Sequence, residues 1–304
     1  MVSDCGRIAI DCQSFFLRRV VISRLSIYSV RGGRVQQFPS QNRWQPINAF
    51  FSSLSRATAS ASTPVLALDY DGTLAPFHVD RSQALPYPGV QGWLSRIQAE
   101  TPTHLVLISG RPAGEVRSLL ALEPAPEIWG AHGLQRLWPD GRLEMGALDP
   151  GEDLVLRQAL QALEAMGWQA LAEVKPGSVV LHTRGLPPAE ARRIQQAVHI
   201  AWRPLAAQLG PQLLEFDGGI ELRSSRQNKG DALRTILAAQ RPGTPVACLG
   251  DDLTDEDAFL ALQGHTPSLS VLVRPEWRAT HAQAWLRPPE ELMQFLEAWL
   301  QHTT

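Results

Sequence analysis

Short, unbroken apolar runs closed by glycine or polar residues set the rhythm of the chain from Pro64 onward. Val65–Leu68 ends in Asp69-Tyr-Asp71-Gly72-Thr73, and His104–Ile108 ends in Ser109-Gly-Arg111. Residues 127–129 form a third run, and residues 245–249 a fourth that ends in Gly250-Asp251-Asp252. Runs this short and this apolar predict strands buried on both faces. Between them, apolar residues recur at helical spacing over 90–99, 113–122 and 229–239. Strand and helix in alternation predict an α/β fold, a Rossmann-like parallel sheet with crossover helices. Such sheets bind ligands just past the carboxyl ends of their strands, where the polar clusters of this chain fall.

The pattern changes between residues 146 and 223. Residues 151–166 carry a helical pattern, and 172–184 read as a hairpin turning at Pro176-Gly177. A second helix is expected over 187–209, then two short strands over 212–222 around Asp217-Gly218-Gly219. This order predicts a smaller α+β unit inserted into the larger domain, because buried-strand runs resume after it. The expected organisation is a core of residues 64–145 and 224–304 with an inserted cap of residues 146–223. No internal repeat is evident.

Residues 1–63 break the pattern differently. No acidic residue lies between Asp11 and Asp69, while seven arginines and many serines do. That composition reads as a basic, disordered leader, with an organelle transit segment or a start placed too early as alternatives. Its apolar patches are too short to span a bilayer. The leader holds eight arginines and two aspartates, so the remainder has 20 basic and 28 acidic residues, a net charge of -8 against -2 for the whole chain.

That balance argues against a nucleic-acid partner, and the nine tryptophans are scattered rather than spaced as a platform for bases. Three cysteines cannot build a disulfide framework, so a reducing, cytoplasmic setting is expected. The eight histidines show no zinc-binding spacing. A monomer acting on a small molecule, with no membrane partner, is the expectation.

Two carboxylates at one strand end, Asp69 and Asp71, repel each other unless a cation relieves them. Oxygen-only ligands point to a hard cation, with Mg²⁺ the natural choice. Asp69-x-Asp71-Gly-Thr73, Ser109-Gly-Arg111, Lys229-Gly230 and Gly250-Asp251-Asp252-Leu-Thr-Asp255 occur in that order, each at a strand end or helix start. The set resembles the motifs of haloacid-dehalogenase-like phosphatases. A finer resemblance, to trehalose-6-phosphate phosphatases, is carried by Gly130-Ala-His132-Gly133, Glu173-Val-Lys175, His182-Thr-Arg184, Glu221-Leu-Arg223 and Gly250 to Glu256. It covers about residues 64–300.

The resemblance implies hydrolysis of a sugar phosphate, trehalose 6-phosphate, through an aspartyl-phosphate on Asp69, with Asp71 as acid and base. Ser109 and Lys229 would hold the phosphoryl oxygens. Asp69, the Asp71 carbonyl and Asp251 would bind Mg²⁺, with Asp252 as an alternate ligand and Asp255 orienting the site. Thr73 would fix the Asp loop; Arg111 would bind phosphate or pair with a nearby carboxylate. Glu173, Lys175, His182 and Glu221 would contact the sugar, although Glu173 and Lys175 also read as an ordinary pair on a hairpin. Arg184 would share a strand face with His182 or pair with a surface acid. His132 would stand at the mouth of the site or be a satisfied core histidine.

Two positions depart from the family pattern. Asp217-Gly-Gly-Ile-Glu221 lacks a Gly-Lys pair, and Gln135 stands where an acid is common. Both fall on the substrate side, so another sugar phosphate, such as glucosylglycerol phosphate or sucrose 6-phosphate, is the alternative. A non-catalytic sugar-phosphate sensor is a further one. Of 28 basic residues only Lys175 and Lys229 are lysine. Both fall on these motifs, where a compact ammonium fits better than a planar guanidinium.

Overall fold

A computed structural model describes residues 44–304 except 210, 211, 217 and 226. In chain order it contains α1 (Gln45–Thr58), β1 (Val65–Leu68), α2 (Val90–Glu100), β2 (His104–Ile108), α3 (Ala113–Leu120), β3 (Glu127–Gly130), β4 (Gln135–Leu137) and β5 (Leu143–Met145). Then come α4 (Pro150–Ala165), β6 (Ala172–Lys175), β7 (Ser178–His182), α5 (Pro188–Leu209), β8 (Gln212–Phe216) and β9 (Gly219–Arg223). The chain ends with α6 (Lys229–Ala238), β10 (Val246–Gly250), α7 (Glu256–Ala261), β11 (Ser268–Val273), β12 (Ala284–Leu286) and α8 (Glu290–Thr303).

Eight strands form one sheet in the order β12-β11-β10-β1-β2-β3-β4-β5. From β12 to β3 all pairs are parallel, and β4 and β5 extend the sheet antiparallel. The two-residue period of a strand divides the core into two layers. Leu66, Leu68, Leu105, Leu107, Ala247 and Leu249 pack on one face with α2 and α8. Val65, Ala67, Val106, Ile108, Val246 and Cys248 pack on the other with α6 and α7. Strands β1 and β10 lie side by side, Leu68 opposite Leu249. Their ends therefore bring Asp69 and Asp251 to one place.

The leader expectation needs correction over its last part. Residues 1–43 lie outside the described residues, but Gln45–Thr58 is a helix packed into the core. Ile47, Phe50, Phe51 and Leu54 recur at helical spacing and are buried. Phe51 stacks on His302 at 4.9 Å and meets Phe295 at 5.3 Å; Phe50 stacks on Trp299 at 6.0 Å. The Ser55 hydroxyl lies 2.7 Å from His302 Nδ1. An acid-poor composition coexists here with a strong apolar stripe, and burial of the stripe against α8 decides the outcome.

The inserted segment forms its own four-stranded antiparallel sheet, β6-β7-β9-β8. Helices α4 and α5 cover one face, where Val179, Leu181, Ile220 and Leu222 join Leu156, Ala159, Val198 and Trp202 in a separate core. On the other face register aligns Glu173, Val180 and Glu221 in one row, and Lys175, Ser178 and Arg223 in the next. Residues directly opposite in a sheet share a face. One side of the cap sheet is thus oily and the other carries most of its charge. Among the described residues no helix is long and apolar enough to cross a membrane.

Candidate active site

The turn after β1 starts the site. Gly72 has φ +81°, and a side-chain Cβ there would lie 2.2 Å from Asp251 Oδ2. Glycine therefore serves twice, supplying a left-handed turn and admitting the carboxylate from β10. Asp69 is buried, and its Oδ1 accepts from Lys229 Nζ at 2.7 Å. Lys229 opens α6, where Asn228 and Asp231 form a capping box that fixes the start of the helix. The same Nζ donates to Asp255 Oδ1 at 2.7 Å. Asp255 Oδ2 in turn accepts from the amides of Asp251 and Asp252, each at 3.0 Å.

Among the side-chain carboxylates, Asp255 gathers beside Asp69 and Asp251. Asp69, Asp251 and Asp255 present oxygens within 4.8 Å of one another, all buried. Asp252 is tied to Asp255 through its backbone, its amide donating to Asp255 Oδ2 at 3.0 Å and its carbonyl accepting the Asp255 amide at 3.1 Å. The Asp71 carboxylate is held by Arg111, with Nε to Oδ2 at 2.6 Å and Nη2 to Oδ1 at 2.7 Å. Of the two roles open to Arg111, this structure has the carboxylate pairing. Its Nη1 donates at 2.9 Å to the carbonyl of Arg81, a residue sequence reasoning missed.

Electrostatics favour a cation among the trio. Burial pushes the Asp69 carboxyl up to about 7 against the pull of Lys229, and Asp255 adds repulsion. Burial and then Asp69 and Asp255 raise Asp251 well above the usual carboxylate range. Burial opposes the Lys229 ammonium, but Asp255 and Asp69 outweigh it and push its pKa up. Three carboxylates against one ammonium leave two negative charges, which a divalent cation would balance. Asp251 Oδ1 is buried with no hydrogen-bond partner. A hard divalent ion such as Mg²⁺ suits both the charge and the all-oxygen donor set.

Around this centre, the buried Ser109 accepts the Arg111 amide on its Oγ at 3.2 Å. Thr73 Oγ1 donates to Asp69 Oδ2 at 3.4 Å. The His132 amide donates to the Ser109 carbonyl at 2.9 Å, and its ring packs over Gly110. Its Nε2 lies 3.8 Å from Glu221 Oε2 on the cap. Burial, helped by Arg223, Lys229 and Lys175, holds the imidazole well below its usual pKa, so it is neutral at pH 7.

On the cap, Glu173 gathers basic side chains. It pairs with His182 at 2.6 Å, with Lys175 at 3.7 Å, and with Arg81 from the core. Burial alone would raise its pKa, but His182, Lys175 and Arg81 outweigh it and lower it to about 2. The structure thus brings Glu173, Lys175 and His182 together, and Glu221 next to His132. Arg184 does not join them; its guanidinium lies over the Phe77 ring at 5.3 Å. Gln135 accepts the Ala113 amide on Oε1 at 2.9 Å, which anchors the start of α3. The other departure includes Asp217, which lies outside the described residues.

The sequence model of the trehalose-phosphatase family matches residues 67–284, which include Asp69, Lys229, the acidic loop and the whole cap. The chain belongs to the trehalose-phosphatase family. That family consists of phosphoric monoester hydrolases. Within it, the trehalose-phosphate phosphatase of Mycobacterium avium (strain 104) is 30% identical over 295 residues, covering 91% of this chain and 71% of the relative. That of Mycobacterium leprae (strain TN) is 29% identical over 258 residues, and the match covers 78% of this chain but 58% of the relative.

The C-terminal domain of C. albicans trehalose-6-phosphate phosphatase superposes with a TM-score of 0.69 at 20% identity, over 89% of this chain and 99% of that one. A haloacid dehalogenase-like hydrolase from B. subtilis gives 0.51 at 16% identity, over 77% and 99%. The fold is accordingly the haloacid-dehalogenase one, a Rossmann-like core with a cap.

One signal for a missed residue was within reach. Arg223 lies two residues beyond Glu221, so strand periodicity alone places it on the same face. Asp255 was expected to orient the site, but its place in the trio depends on the turn after Asp251. Arg81 left no signal, since its importance comes from contacts far away in sequence, its carbonyl with Arg111 and its guanidinium with Glu173.

Proposed function

We propose that the protein hydrolyses trehalose 6-phosphate to trehalose and phosphate in a Mg²⁺-dependent reaction through an aspartyl-phosphate. Asp69 attacks phosphorus, the bond to the sugar oxygen breaks, and Asp71 gives that oxygen its proton. Asp71 then takes a proton from the water that cleaves the acyl phosphate, which restores Asp69 and releases phosphate. Arg111 aims Asp71 by a two-point grip, which fixes direction as well as distance. Lys229 and Ser109 hold the non-bridging phosphoryl oxygens, and phosphoryl transfer depends mainly on such positioning. Asp69 and Asp251, with the Asp71 carbonyl and Asp255 or Asp252 beside them, would hold Mg²⁺, which supplies neutralisation of phosphoryl charge.

The cap, residues 146–223, closes over the core of residues 64–145 and 224–304. Glu173, Lys175, His182 and Glu221 then contact the sugar. The observation that carries this reading is Lys229 bridging Asp69 and Asp255 beside Asp251, under the charged face of the cap sheet.

The test is phosphate release from trehalose 6-phosphate, sucrose 6-phosphate and glucosylglycerol phosphate, with Mg²⁺ and with a chelator. Trehalose 6-phosphate should be turned over fastest, only with the metal, and Asp69→Asn should abolish turnover. A preference for another sugar phosphate overturns the substrate; activity in Asp69→Asn overturns the mechanism.

A further inference from the structure

Polar atoms sealed from water without hydrogen bonds are costly, so several of them in one place call for an explanation. Among the described residues such atoms gather where the cap sheet meets the Ser109 loop. They are His132 Nδ1 from the core, with Glu221 Oε1, Arg223 Nε and Arg223 Nη1 from β9. All three residues are more than nine-tenths buried. Among the described residues the Arg223 guanidinium donates one hydrogen bond, from Nη2 to Gln212 Oε1 at 3.3 Å, and its charge acts on Asp257 without a hydrogen bond to it. A guanidinium has five N–H groups to satisfy, so most of its capacity is unused.

The location says what kind of ligand would use it. Glu221 and Arg223 stand two residues apart on one strand and face the same side. His132 reaches toward Glu221 from the core, and its own amide is tied to the Ser109 carbonyl. The group is therefore adjacent to the phosphate-holding loop. It offers an acceptor at Glu221, donors at Arg223, and a neutral imidazole whose tautomer can suit either. A hydroxyl both donates and accepts, so neighbouring hydroxyls of a sugar can satisfy the carboxylate and the guanidinium together. A second phosphate would satisfy Arg223 but be repelled by Glu221.

We infer that Arg223, with His132 and Glu221, forms a hydroxyl-binding subsite at the seam of core and cap, and that Arg223 sets which sugar is accepted. The inference rests on the phosphatase reading proposed above and adds Arg223 to it as a specificity-determining residue. Selectivity follows because a site with buried hydrogen-bonding groups rejects ligands that leave those groups unmatched.

The experiment compares Arg223→Met and Arg223→Lys with wild type on trehalose 6-phosphate and on p-nitrophenyl phosphate, which has no sugar hydroxyls. Arg223→Met should raise KM for trehalose 6-phosphate at least about 10-fold, with a far smaller loss in kcat/KM on p-nitrophenyl phosphate. Arg223→Lys should recover part of that loss. Thermal melting of the ligand-free protein should fall by no more than a few degrees in Arg223→Met, because the charge facing Asp257 is lost but two buried N–H groups without hydrogen bonds go with it. Trehalose should shift the melting of wild type more than that of Arg223→Met.

Equal losses on both substrates, or a large drop in ligand-free melting temperature, would show a structural arginine and overturn the inference. If wild type prefers a different sugar phosphate, only the identity of the sugar fails. The same two-substrate ratio on that sugar phosphate then tests the subsite.

Discussion

Phe51 offers the sharpest test of whether α1 belongs to the folded core. A disordered leader would tolerate any substitution at this position, whereas the structure buries the ring to 3% exposure. It touches Phe295 at 5.3 Å and His302 at 4.9 Å across the interface with α8. Phe51→Ala removes the apolar contact and leaves a cavity between two helices that cannot fully collapse. A loss of about 3–5 kcal/mol follows for a fully buried phenylalanine.

That is a large share of the roughly 5–15 kcal/mol by which domains are stable. With a urea dependence of about 2–3 kcal/mol per molar, the unfolding midpoint should drop by roughly 1–2.5 M. Phe77 is the control, because its ring is 56% exposed. Phe77→Ala should cost less than about 1 kcal/mol, chiefly the contact with Arg184. Urea unfolding followed by circular dichroism reads both variants. A Phe51→Ala midpoint within about 0.3 M of wild type would refute the packing of α1 and restore the disordered leader.

Other consequences concern the charges of the site. Asp251→Asn removes a carboxyl whose ionisation is opposed by burial and by Asp69 and Asp255, so the melting temperature of metal-free protein should gain most, by about 2–4 °C, at alkaline pH. The same variant should lose the stabilisation that Mg²⁺ gives wild type by binding only the folded state; a lower metal-free melting temperature would contradict the repulsion.

The depressed pKa of His132 has a definite sign. Below pH 6.5 the unfolded chain takes up a proton that the folded chain refuses, so stability falls with pH there, by at most about 1.4 kcal/mol per pH unit. Glu221, Arg223, Lys229 and Lys175 are the charges that bear on the ring. His132 has φ 56°, which asparagine tolerates, so His132→Asn should keep the fold and flatten that slope. Parallel urea titrations at pH 7.5, 6.5 and 5.5 should diverge toward acid, and identical slopes would contradict it.

Much of the fold is legible because strands buried on both faces announce themselves locally. β1, β2, β3 and β10 are short apolar runs, and the cap's helix–hairpin order follows from turn residues and periodicity. β11 and β12 are harder to see, since Ser268 and Ser270 interrupt one and the other has three residues. α1 carried a readable apolar stripe at Ile47, Phe50, Phe51 and Leu54, but arginine-rich, acid-poor composition suggested disorder. Composition averages over a window, whereas packing depends on which few positions face a partner.

By itself, then, the sequence determined the element types, the position of each chemical cluster at a strand end, and the residue types of the candidate site. Those follow from local stereochemistry and hydrophobic period. Partner choice among the charges belonged to the tertiary structure alone. Arg111 meets Asp71 across 40 residues, and Lys229 meets Asp69 across 160. Asp255, rather than Asp71 or Asp252, completes the acidic trio because the turn after β10 folds its carboxylate back over Gly250, where a Cβ would lie 2.2 Å from its Cγ. Coulomb attraction and hydrogen bonding act over a few ångströms, so such pairings depend on distances that no spacing along the chain encodes.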